Sequence, residues 1–357
     1  MVSLPELDMS GFLADPRGSR GAAFVRALLE ACHGPGFCYL RGHGVPPALD
    51  RSILAVARRF FALPESERRA LAIASSPHFR GYTALGGERT RGASDWREQL
   101  DAGPEEEAEA LSSRDPAWRR VRGPNQWPPS LPEMRGGVLE WMGAMDGVGL
   151  AVLRALALGL GQPLDHFDRY VLPRGDPHIK ISRYPAQSAV AGSGSEVTSG
   201  SDSSSSSCAD GDQGVGWHHD SGLVSFVLQD EVGGLEVEVA GERIEATPRR
   251  GTYVMNLGEM LQAATAGFLR ATLHRVKSPP PGRARISIAY FFHPRLESIF
   301  EPIALAAELA ARAPGGQNAD PRDPVFSTFG ENYLKIRMRS HPDVAARYYA
   351  DVALRSG

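Results

Sequence analysis

His218 and Asp220 stand two residues apart in the stretch GVGWHHDSGLVSF, Gly214 to Phe226. In an extended backbone, residues i and i+2 project to the same side, so these two share a face and His219 points the other way. Two imidazoles and one carboxylate on one face of an ion form the ligand set of a mononuclear non-haem iron site, which keeps three positions open for substrate and O2. The missing imidazole is expected from a neighbouring strand, and ATLHRVKSP supplies His274, fifty-six residues on. Eleven residues later comes Arg285, with Ser287 two further along the same strand face. A guanidinium and a hydroxyl facing one cavity make a receptor for a carboxylate, and Tyr184 in SRYP adds a phenol donor from another strand. With ten histidines in 357 residues a lone HxD carries little weight; the combination carries the argument.

Elements that can position these residues follow from hydrophobic period. The first third reads as helices around one short strand. GAAFVRALLEACHGPG has Phe24, Leu28 and Ala31 at helical spacing, FCYLRGHGV (Phe37 to Val45) is strand-like, and Ile53, Val56, Ala57, Phe60 and Phe61 form a helical stripe ended by Leu63-Pro64. From His78 to Gly103 the chain is irregular, a functional flap or a solvated connector. Leu131 to Leu160 reads as a long helix, its Val138, Trp141, Met142, Met145 and Val148 packing into the core. After about His178 the period becomes two: HIKISRYP, GLVSFVLQD, GLEVEVAGERIEATP with a turn at Ala240-Gly241, GTYVMNLG and ARISIAYFFHP predict short strands of a sandwich or jelly roll. The tail returns to helix in IALAAELAAR and HPDVAARYYADVAL. Residues 187–213 are Ser/Gly-rich and read as a loop inserted between core strands.

Bulk properties narrow the class. A net charge of −3 leaves no electrostatic footprint for nucleic acid or an anionic membrane. No window approaches 18 uninterrupted apolar residues, so no membrane span is expected. Cys32, Cys38 and Cys208 are odd in number and lack zinc-like spacing, which fits a reduced, cytoplasmic protein. Oligomeric state is not legible.

Together the motifs resemble the isopenicillin-N-synthase-like superfamily of iron(II)/2-oxoglutarate-dependent oxygenases over nearly the whole chain. GFCYLRGHGV resembles its N-terminal element, with His43 structural; WHHDSG resembles its HxDxG ligand motif; the run ending in LHRV carries the distal histidine; RISIAYFFHP resembles its RxS motif. The resemblance implies a mixed α/β fold with a double-stranded β-helix (jelly-roll, cupin-like) core flanked by N-terminal and C-terminal helices. The implied divisions are a helical region 1–130, a long bridging helix 131–176, the core 177–295 and a helical cap 296–357. It implies Fe(II) on His218, Asp220 and His274, 2-oxoglutarate as co-substrate on Arg285, Ser287 and Tyr184, and O2, with a small amino-acid-like substrate oxidised as succinate and CO2 are released. GYTALGGERTRGASDWREQL, QDEVGGLEV and FGENYLKIRMRSHPDV are most similar to the ethylene-forming-enzyme branch, which places Glu88, Thr90 and Arg339 at the substrate; Ser221 departs from the tyrosine there. The Arg-rich loop (Arg89, Arg91, Arg97) and tail (Lys335, Arg337, Arg339) suggest an acidic or zwitterionic partner, or are solvated surface charge. An oxidase needing no 2-oxoglutarate, an ethylene-forming enzyme and a non-catalytic ligand sensor are the alternatives.

Overall fold

Period-two segments become strands throughout the computed structural model, which describes residues 3–186, 213–314 and 325–352. Of the Ser-rich stretch only Gln213 falls within them. In chain order the strands are β1 (Glu6–Asp8), β2 (Phe37–Arg41), β3 (Gly81–Thr83), β4 (Arg89–Thr90), β5 (Ala93–Ser94), β6 (Glu98–Ala102) and β7 (His178–Tyr184). Then follow β8 (Gln213–His218), β9 (Val224–Gln229), β10 (Leu235–Val239), β11 (Glu242–Glu245), β12 (Tyr253–Leu257), β13 (His274–Lys277) and β14 (Arg285–Phe292). Eight form one mixed sheet in the order β1-β2-β12-β9-β14-β7-β6-β3, and four form a second, β11-β10-β13-β8; β4 and β5 are a separate hairpin.

The large sheet has one apolar and one polar face. On β7, Ile179 and Ile181 pack into the main core, while His178, Lys180, Ser182 and Tyr184 alternate onto the other side. Strand β14 repeats this: Ile286, Ile288, Tyr290 and Phe292 enter the core, and register sets Arg285 opposite Tyr184 and Ser287 opposite Ser182. The helix Glu133–Gly159 covers the apolar face and packs on the helices Ser19–His33 and Pro47–Ala62. It is long and apolar enough to cross a membrane, yet Trp141, Met145, Val152 and Leu156 are fully buried, as a core helix requires. Gly149 permits its close approach to the sheet, since a Cβ there would lie 2.4 Å from the Phe292 ring. A smaller cluster, with Phe37, Tyr39, Val254, Val215, Val237 and Val276, joins the polar-side sheet face to the four-stranded sheet.

Four sequence expectations need correction. The first third is not purely helical around one strand: β1, β2, β3 and β6 join both flanks of the large sheet. All five residues of β6, EQLDA, are buried despite two acids, because β6 lies between β3 and β7 with its charges paired internally. The bridging helix does not run through 131–176; it stops at Gly159, with Gly161 at φ +74° beyond it. The strand FCYLRGHGV ends at Arg41, where Gly42 and Gly44 turn the chain at positive φ. In the tail, IALAAELAAR yields a helix only over Ala307–Ala310. The Ala240-Gly241 turn is as expected, both residues at positive φ between β10 and β11.

Candidate active site

His218 closes β8 and His274 opens β13, and the antiparallel register sets the two opposite each other. Asp220 lies two residues beyond the end of β8, its backbone carbonyl accepting from Glu259 N at 2.8 Å. The ligand atoms of His218, Asp220 and His274 all lie within 4.8 Å of one another, the one such group among the described residues. Each Nδ1 donates to a backbone carbonyl: His218 to Gly216 O at 2.8 Å, His274 to Thr272 O at 3.0 Å. A carbonyl only accepts, so the proton resides on Nδ1 and each Nε2 presents a lone pair. Both Nε2 atoms are 3.7 Å from Asp220 Oδ1, while Asp220 Oδ2 accepts from Asn256 Nδ2 at 2.7 Å. Burial pushes the His218 imidazole well below its ordinary pKa, and the facing His274 adds to this. Burial opposes ionisation of Asp220, but the two histidines and Asn256 outweigh it and keep the carboxyl below the usual range. Two neutral nitrogen donors and one carboxylate oxygen aimed at one point fit a divalent iron ion.

Two cavities meet at this point, and His218 and Asp220 line both. The narrower one runs between the sheets. Arg285, 1% exposed, forms its far end and donates to Ser287 Oγ at 3.1 Å, Gln229 Oε1 at 3.0 Å and Val232 O at 3.2 Å, with its guanidinium over the Tyr184 ring. Burial would raise the Tyr184 phenol, but Arg97 and Arg285 outweigh it and hold the phenol below its ordinary value.

The wider cavity, about 580 Å³, is lined by charged groups of both signs. Glu88 Oε1 accepts from Lys180 and Oε2 from Arg97 at 2.7 Å. Burial opposes its charge, yet Lys180 and Arg97 hold the carboxyl far below the usual range. Asp101, fully buried behind the wall, accepts from Arg337 at 3.0 Å and His178 at 2.8 Å. Thr90 and the exposed Arg339 also line this cavity, so the three residues expected at the substrate are brought together; the Thr90 hydroxyl itself donates to Asp95 at 2.8 Å. His219 lines it too, 3.9 Å from Glu259, rather than packing away from the site. Arg337 is buried and the Arg97 side chain is only 11% exposed, so neither is solvated surface charge. Lys180, His178, Asp101 and Asn256 were missed, although alternation in HIKISRY already puts His178 and Lys180 on the face of Tyr184. His43 sits away from both cavities, against Tyr253.

Comparison with known proteins agrees with this geometry. Residues 4–130 match the family described as non-haem dioxygenase in morphine synthesis N-terminal, and residues 200–294 match the 2OG-Fe(II) oxygenase superfamily. The chain is 34% identical to a 2-oxoglutarate-dependent dioxygenase of Dothideomycetidae sp. (strain 11243), over 97% of this chain and 92% of that protein. It is 31% identical to a homoarginine-6-hydroxylase of Glycine max, over 84% of this chain and 88% of that one. The Neurospora crassa enzyme crystallised with alpha-KG and thymine superposes with a TM-score of 0.72 at 25% identity, over 97% of both chains. The ethylene-forming resemblance rests on the three sequence stretches alone.

Proposed function

The chain belongs to the 2OG-Fe(II) oxygenase superfamily and is a 2-oxoglutarate-dependent dioxygenase, and from that premise we propose a residue assignment and a substrate class. His218, Asp220 and His274 hold the iron; Arg285, Ser287 and Tyr184 hold 2-oxoglutarate; the wider cavity takes a small amino-acid-like substrate. The observation that carries this reading is the convergence of two lone-pair nitrogens and Asp220 Oδ1 at the junction of the two cavities. The two-sheet arrangement around the junction is read as a double-stranded β-helix core, 177–295, to which the segments 1–130, 131–176 and 296–357 are added.

Bound iron supplies the oxidation of substrate by O2, with 2-oxoglutarate leaving as succinate and CO2. The chain's own groups do the rest. Thr272 and Gly216 carbonyls fix the histidine tautomers; Asn256 turns the Asp220 carboxylate so that Oδ1 faces the histidines. Arg285 is held by neutral acceptors, so its charge stays open to a carboxylate. Glu88, Thr90 and Arg339 border the substrate, whose amino-acid character is supported by a wall bearing both charge signs and by the homoarginine-6-hydroxylase relative. The test is oxygen-dependent turnover with Fe(II), 2-oxoglutarate and a panel of amino acids including homoarginine. The expected result is one succinate per substrate oxidised; oxidation without 2-oxoglutarate consumption would restore the oxidase alternative.

A further inference from the structure

Strand β8 is the outermost strand of the four-stranded sheet: β13 pairs with one edge, and the other edge has no strand partner among the described residues. An edge strand with half its backbone groups unpaired is a weak support for a ligand that must stay in register. The segment between β5 and β6 covers that edge. Trp96 N donates to Gln213 O at 2.9 Å, and Asp95, 0% exposed, accepts from Gly216 N at 3.2 Å through Oδ1. The same oxygen accepts from Gln213 Nε2 at 3.1 Å. Oδ2 accepts from Thr90 Oγ1 at 2.8 Å and from Arg97 at 3.3 Å.

Gly216 is the point of contact with the metal site. Its N–H donates to Asp95 and its carbonyl accepts the Nδ1 proton of His218. A carboxylate at one end and an imidazole at the other bracket a glycine whose added Cβ would press within 3.1 Å of Thr90 Cγ2 and 3.0 Å of Gln213 Nε2. We propose that Asp95 is a positioning residue for the iron site: it fixes the Gly216 backbone, which aims the His218 imidazole, and ties that strand to the hairpin bordering the substrate cavity. The proposal rests on His218 being an iron ligand.

Anaerobic Fe(II) titration of the full chain tests it at 10 °C with Asp95→Ala, Asp95→Asn and His218→Ala. Asparagine keeps Oδ1 as acceptor for the Gly216 N–H, while its Nδ2 gives up the bonds that Oδ2 accepts from Thr90 and Arg97. The expected result is an iron Kd raised roughly 10- to 100-fold in Asp95→Ala, the usual cost of losing a group that orients a ligand, and recovered to within about 3-fold in Asp95→Asn. A lowered melting temperature in Asp95→Ala with wild-type iron affinity overturns the proposal, as does Asp95→Asn losing as much affinity as Asp95→Ala. An unchanged Kd in His218→Ala fails the ligand assignment instead, so the two failures are separate. Amide hydrogen exchange on the wild-type chain needs no variant: slow exchange at Gly216, matching interior strands, is expected, and exchange at the rate of an open sheet edge overturns the clamp.

Discussion

Two buried arginines line the two cavities, Arg285 the narrower and Arg337 the wider, 1% and 3% exposed. Arg337 is neutralised by Asp101 at 3.0 Å and caps the Phe79 carbonyl at 2.9 Å. Arg285 touches only neutral acceptors, and no carboxylate of the described residues lies within ion-pair distance of it. Burying an unpaired charge is expensive, so a chain retains one where a ligand completes it. One arginine holds the wall together; the other keeps its charge for an anion. That contrast separates architecture from recognition in a molecule whose cavities are both lined by cations.

Asp220 belongs to both regions, and removing it acts on both. Asp220→Ala is expected to abolish succinate release with every substrate while leaving the chain folded by circular dichroism. Persisting 2-oxoglutarate-coupled turnover would sink the ligand assignment. Arg337→Gln is next in size. It strands Asp101 in the interior, and with Lys180 still 3.6 Å away the cost should be about 3 kcal/mol, the lower end for breaking a buried pair, read by urea unfolding. A loss under about 1 kcal/mol would erase the architectural half of the comparison.

Acid provides a graded version of the same test. Glu88 and Asp101 are held below their ordinary values, so below about pH 4.5 the unfolded chain takes up protons before the folded one does. Stability from these acids is fully present above that range and is lost as pH falls. Unfolding free energy should already decline below about pH 6.5, where the unfolded chain protonates histidines that burial keeps neutral in the fold (His178, His218, His293, His341), and the acids add a further drop below about pH 4.5. That second drop should be shallower in Glu88→Gln; equal slopes in both would remove Glu88 from the network. Smallest is Tyr184→Phe, which deletes a phenol bonded to Ser287 and Arg97 and should weaken 2-oxoglutarate binding about 2- to 10-fold. No change would place Tyr184 outside the co-substrate site.

The contrast also explains what the sequence discloses. His218 with Asp220, and Arg285 with Ser287, are pairs two residues apart on a strand or just beyond a strand end, so a period of two reads the facing of each pair directly. Only His274 needs the sheet, and its register opposite His218 follows from antiparallel pairing. The charged wall comes from the hairpin with its flanking Glu88 and Arg97, from β7 and from the helix Phe329–Ser340, segments whose neighbours no local pattern reveals. EQLDA looks like solvated loop because its acids are balanced by residues far along the chain: Glu98 by Arg68 and Arg183, Asp101 by Lys180 and Arg337. Arg97 and Arg337 read as surface for the same reason. Hydrophobic period alone placed the long helix at Leu131 to Leu160, close to the observed Glu133–Gly159, while the division at 131–176 overran the stop that Gly161 makes.

The most direct measurement is 2-oxoglutarate titration of the iron-loaded, anaerobic protein, followed by its visible charge-transfer band, for wild type, Arg285→Gln and Arg337→Lys. Leaving a bound carboxylate unpaired costs about 2–5 kcal/mol, so Arg285→Gln should weaken binding by roughly 30-fold to several thousand-fold. Arg337→Lys keeps its charge beside Asp101 and should stay within about 2-fold of wild type. Equal losses in the two variants, or none in Arg285→Gln, would contradict the assignment of the open charge to the co-substrate.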